Sequence, residues 1–310
     1  MKSALTALVG CLAAGLLALP ASGATVEPTP GEHPLLDLAR ELQKTRDPDL
    51  RVTPGAPQLR QAEHALAQAK VPADADCAGG IGASRFADLH IDLALARAGQ
   101  GDFAGAASAY RSAHACRPRD PLILSSLSGT LFDARDYAGA RQAIDAALSI
   151  DPRAVNANRL AGQIDFIEER WASAIARFRY VASSDQDRGQ ASYGQLMYWL
   201  SQARAGIAKP EFVERMPGEG WPQPLLLYMQ GQYTEAELTA PVRQGDDEDN
   251  TQANTSTDER LCEALYYVGE AYWARGQPEV ARDYFAALVN IKVIYFLEHG
   301  LALAEIAKLR

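Results

Sequence analysis

Apolar positions along the chain recur with a helical period, and between residues 87 and 188 the pattern itself repeats every 34 residues. Phe103, Tyr137 and Trp171 hold one register position; Ala106, Ala140 and Ala174 hold the next. Tyr110, Ile144 and Phe178 follow, then Ala113, Ala147 and Val181, and Pro118 and Pro152 close the first two blocks. A small residue lets two helix backbones approach, and the larger one four residues on fills the gap beside it. A period of this length predicts stacked helical hairpins. Outside the three blocks, helical periodicity predicts helices over residues 35–45 and 57–70, which form a degenerate first hairpin, and over 190–205. A compressed hairpin follows at 225–229 and 234–238, and a fourth repeat starts near Cys262 with Leu265, Tyr272, Gly276, Ala281 and Phe285. The last helix, 294–310, places Ile306 and Leu309 over the open end of the stack.

Composition adds compartment. Lys2 precedes an apolar stretch from Ala4 to Leu19, followed by Pro20 and the small residues Ser22, Gly23 and Ala24. That order is an export signal cut after Ala24; it is shorter than the roughly 20 apolar residues of a membrane span. The alternative is a lipobox, Leu8-Val9-Gly10-Cys11, with a lipid anchor on Cys11 and hence membrane contact. The chain therefore divides into a signal peptide (1–24), a flexible leader (25–34), an N-terminal helical region and loop (35–82), and three repeats (83–188). Irregular helical hairpins with an acidic loop (189–258) and a fourth repeat with a capping helix (259–310) complete it. Export permits disulfides. Cys77 precedes the first repeat and Cys116 ends its second helix, so both lie at the same end of a hairpin, either bridged or as two thiols. Cys262 reads as a small buried hydrophobe.

The repeat positions resemble the tetratricopeptide repeat family: Leu93-Ala94 in the first helix, Gly101 at the turn, and Ala106, Tyr110, Ala113 and Pro118 in the second. The expected fold is thus all-α, a tetratricopeptide-type helical-hairpin solenoid with a C-terminal capping helix. Residues 85–310 resemble a narrower family, the bacterial new lipoprotein I (NlpI) type of adaptor. The likeness rests on Tyr198-Trp199-Leu200 with Gly206, Gly220-Trp221-Pro222, Leu227-Tyr228 with Gly231, Glu263, Tyr266-Tyr267, Gly269, and Phe296-Leu297-Glu298-His299 followed by Ala302 and Glu305. It implies a homodimeric envelope protein without catalytic activity that brings murein hydrolases to a periplasmic processing protease. Cys11 is the only counterpart of that family's lipidated cysteine, and the chain before residue 85 shows no match.

Chemistry narrows the choice further. A net charge of -9 with no basic run argues against nucleic acid as a partner. The five histidines show no His-Glu-x-x-His spacing, no Gly-x-Ser-x-Gly elbow occurs, and no glycine-rich phosphate loop precedes a lysine, so no catalytic residue, cofactor or metal is expected. Asp247, Asp249, Thr251 and Asp258 sit at calcium-loop positions, but Gln252 replaces the glycine such a loop turns on, so the run reads as a solvated acidic loop. What the repeats offer is a concave face lined by their first helices. Asp88, Asp92 and Leu95, then Ser125, Phe132 and Asp133, then Asn156, Arg159, Gln163 and Phe166 fall at helical spacings that point one way. They form a protein-binding groove for extended or helical peptides, unless Phe132 and Phe166 pack between repeats instead. The leading function is a non-enzymatic adaptor or scaffold for envelope proteins. The alternatives are a scaffold subunit of a polysaccharide-export or secretion assembly, and an enzyme using Glu298 and His299, or a carboxylate pair, as acid and base.

Overall fold

A computed structural model describes residues 32–44, 56–68, 81–184, 188–213, 220–244, 257–292 and 296–309. The export segment, Cys11, Cys77 and the acidic run 245–256 lie outside the described residues. Among those described, every regular element is an α-helix. In chain order they are α1 (Pro34–Lys44), α2 (Ala56–Gln68), α3 (Ile81–Ala98), α4 (Phe103–Cys116), α5 (Pro121–Asp133), α6 (Tyr137–Ile150) and α7 (Val155–Ile167). Then come α8 (Trp171–Ala182), α9 (Arg188–Arg204), α10 (Gln223–Met229), α11 (Glu235–Arg243), α12 (Thr257–Ala274), α13 (Pro278–Ile291) and α14 (Leu297–Lys308).

Neighbours in sequence pack as pairs: α3 on α4, α5 on α6, α7 on α8, α12 on α13. The repeating alanines explain how. Ala106, Ala140 and Ala174 are wholly buried, as are Ile144 and Phe178 four residues after the second and third of them. Each larger side chain removed from water contributes roughly 1.5–3 kcal/mol. Between paired helices the chain reverses through one left-handed residue at the same register position: Gly101 (φ 75°), Arg135 (φ 62°), Glu169 (φ 58°) and, in the last pair, Gly276 (φ 77°). Asp102 and Asp136 then cap α4 and α6, accepting the backbone N–H of Gly105 and Gly139 at 2.9 Å. Such a cap contributes about 1 kcal/mol.

First helices touch first helices along the stack, α5 on α7, α7 on α9 and α9 on α12, so these form one wall of it. Two elements depart from expectation. The helices predicted as a first hairpin do not pair: α2 lies on α3, whereas α1 lies on α11, α12 and α13 at the far end of the chain. The physical reason is the apolar side of α1, Leu35, Leu36, Leu38 and Ala39, which is buried there, together with buried Glu235, which accepts the Leu35 backbone N–H at 3.0 Å. The second departure is α14. It lies on α12 and α13 as a cap would, but it also reaches α5 and α7, so it lies across the wall that the first helices form. The 234–238 helix extends to Arg243 as α11, started by a capping box between Thr234 and Glu237.

Candidate binding face

The predicted groove residues divide by what covers them. On α3, Asp88, Asp92 and Leu95 face solvent, and Leu95 is 57% exposed. Asp88 reaches back to Arg117 at 2.5 Å. On α5 and α7 the same face is closed. Ser125 is buried and its hydroxyl donates to the Pro121 carbonyl of its own helix at 2.8 Å. Phe132 and Phe166 are buried, meeting Tyr137 and Trp171 edge to face with ring centroids 5.2 and 5.3 Å apart. These two aromatics are therefore packing residues, and the mixed surface of exposed rings and carboxylates is not formed. Asn156 and Gln163 flank Arg159 one turn on either side, accepting from its guanidinium at 2.8 and 3.4 Å.

What closes this part of the face is α14. At Gly300 an added Cβ would lie 3.2 Å from the Asp133 carboxylate and 3.6 Å from the Phe132 ring, so a methyl there already crowds Asp133 and a larger side chain would run into Phe132. Leu301 and Ala302 are fully buried and Ala304 nearly so. The two glutamates of α14 are buried with them. Glu298 hydrogen-bonds Tyr267 and feels the positive charge of Arg159. Glu305 lies 3.7 Å from Arg204 and 3.3 Å from Lys308, which also reaches Glu169 at 3.5 Å. Arg204 in turn holds Glu270 at 2.5 Å and stacks over the Trp273 ring, 3.7 Å from its centroid. Beside this, Glu263 on α12 accepts from the Tyr193 hydroxyl at 2.7 Å and from the Trp221 indole at 2.6 Å.

Burial decides the protonation of this seat. It pushes the Asp133 carboxyl up to about 7, helped by the charge of Glu298. It pushes Glu298 up to about 7 despite Arg159, and Glu305 up to about 8, with Glu270 adding to the rise and Arg204 and Lys308 opposing it. Glu263 is raised well above the ordinary range by burial and by Glu298. A carboxyl raised in the folded state contributes stability that is complete below its unfolded value and is lost as pH climbs through its folded one. Half-buried His90 and His299 are lowered, chiefly by desolvation, and act in the opposite sense, below about pH 6.5. Urea unfolding followed by tryptophan fluorescence should therefore show the chain less stable at pH 8.5 than at pH 6.5, by at least about 1 kcal/mol. An equal or higher midpoint at pH 8.5 would show that these carboxyls titrate as exposed ones do.

Glu298 feels the charge of Arg159, whereas burial lowers His299, with Arg135 adding to the fall. Among the described residues no group of histidine, cysteine and acidic side chains could hold a metal ion, and no helix is long and apolar enough to cross a membrane. Cys116 is disulfide-bonded; its expected partner, Cys77, lies outside the described residues. Cys262 is a buried thiol. Groove periodicity missed Arg204, Glu270 and Tyr267, although charged residues on otherwise apolar helix faces mark the first two. No protein-family model matches the chain.

Proposed function

We propose that this chain is a non-enzymatic adaptor of the cell envelope, a tetratricopeptide-type stack that is exported to the periplasm and holds other envelope proteins on its concave face. The observation that supports it is the wall of first helices. Several first helices present side chains to one side, α5 and α7 already accommodate a helix, and α3 leaves Asp88, Asp92 and Leu95 open beside it. A face of this kind holds helical or extended segments by apolar anchors with charged flanks. The resemblance to NlpI-type adaptors names the class of partner: murein hydrolases and a processing protease, gathered by a homodimer. Membrane contact belongs to this reading only if Cys11 is acylated.

The test is affinity capture from periplasmic extract by the wild-type chain and by a variant carrying Asp92→Lys and Leu95→Asp. Both residues are exposed, so the variant keeps its fold. The wild type should enrich a murein hydrolase or the protease, and the variant should recover about tenfold less, the equivalent of about 1.4 kcal/mol. Capture of neither class by the wild type overturns the assignment.

A further inference from the structure

We propose that the closed part of the concave face is a receptor for an amphipathic helix with a small-residue stripe between acidic positions, and that α14 is the resident helix such a partner replaces. This rests on the adaptor reading and supplies the chemistry of its partner. Three features of the seat define that chemistry. Its middle favours small residues: a Cβ at Gly300 would crowd Asp133 and touch Phe132, and the buried Ala304 follows one turn later. Its two ends are cationic or hydrogen-bonding toward the occupant, Arg159 and Tyr267 at Glu298, Arg204 at Glu305. Its floor is apolar, burying Leu301 and Ala302 completely.

The seat is also imperfectly matched by its resident. Glu305 Oε2 is buried without a hydrogen-bond partner, and its carboxylate shares one guanidinium with Glu270. A buried acceptor left unpaired costs roughly 1–3 kcal/mol, so α14 binds its seat less tightly than its buried area alone would give. A partner helix with a neutral acceptor, such as glutamine, where α14 carries Glu305 keeps the contact with Arg204 and removes the crowding. The exposed Asp92 and Leu95 of α3 offer a longer helix contacts that α14 does not make.

The experiment uses the full chain and a fluorescein-labelled peptide spanning residues 296–309. Gly300→Leu fills the space beside Phe132 and Asp133 and should expel α14; Leu301→Asp should expel it from the apolar side. Hydrogen exchange should show α14 amides unprotected in both variants while α5, α7 and α12 keep their protection. Each variant should then bind the wild-type peptide in trans, at least about 100-fold more tightly than the wild-type chain does, because a tethered helix competes at millimolar effective concentration. A peptide carrying Gly300→Leu should bind at least about tenfold more weakly, about 1.4 kcal/mol. Release of α14 without peptide binding overturns the proposal, as does α14 protection in both variants. Unfolding of both variants throughout also overturns it, since α14 would then be core and not an occupant. Peptide binding involves this chain alone, so its failure is distinct from failure to capture envelope proteins through α3.

Discussion

Replacing Arg204 by methionine should destabilise the chain by about 3–5 kcal/mol, the range for breaking a buried ion pair from one side. Arg204 is the only cation whose guanidinium lies against both Glu270, at 2.5 Å, and Glu305, at 3.7 Å, among the described pairs. All three side chains are almost wholly withdrawn from water. The guanidinium also lies over Trp273 and within 5.4 and 5.6 Å of the Trp171 and Phe166 ring centroids, so it joins α9, α12, α7, α8 and α14 at one point. Methionine refills much of the volume but leaves two buried carboxylates facing each other. These can only protonate, so the deficit should be larger at pH 8.5 than at pH 6.5. Adding Glu270→Gln to Arg204→Met should return part of the loss, because the repelling charge is gone. Urea melts of the two variants at both pH values check this; a deficit below about 1 kcal/mol at pH 8.5 would mean the cluster is solvated.

The second large effect is expected at Glu235. Its carboxylate, buried on α11, accepts the Leu35 backbone N–H at 3.0 Å, the Tyr272 hydroxyl at 3.0 Å and the Tyr284 hydroxyl. His33 meets both tyrosine rings edge on, 5.5 and 5.7 Å between centroids. One side chain thus ties the start of α1 to α12 and α13. Glu235→Ala leaves the Leu35 N–H and the Tyr272 hydroxyl without this acceptor and the Tyr284 hydroxyl with His33 alone, and should cost about 3 kcal/mol. The loss should be local first: hydrogen exchange across α1 should accelerate well before that of α5 to α8. Glu235→Gln keeps an oxygen for two of the donors and should recover at least half. Unchanged protection of α1 in Glu235→Ala would show that its leucines alone hold it.

Much of the architecture was legible because the repeat is written in residue size. Ala106, Ala140 and Ala174 mark the close approaches, and Tyr110, Ile144 and Phe178 the filled gaps, so α3 to α8 follow from spacing alone. The turns were only partly readable. Gly101 announces a left-handed residue, but Arg135 and Glu169 adopt the same conformation without the glycine that would signal it. Long-range partners were not readable at all. The leucines of α1 say that one side must be covered, not that α11 to α13 cover it. The groove residues of α5 and α7 were placed on the right face, yet periodicity cannot tell that a helix of the same chain lies over them. Gly300 and Ala304 carry that information, as a small-residue edge that reads equally as a cap on the last pair.

Cross-linking α14 to α5 tests the placement on which the account turns. In a chain carrying Asp133→Cys and Gly300→Cys, the crowding carboxylate is removed and the two thiols occupy facing positions, since a Cβ at residue 300 would lie 3.2 Å from where Asp133 Oδ1 sits in the native chain. Mild oxidation followed by peptide mass mapping should recover a single peptide joining residues 133 and 300 in nearly all molecules. Two unlinked thiols after full oxidation of the folded chain would place α14 elsewhere and leave the concave face open along its whole length.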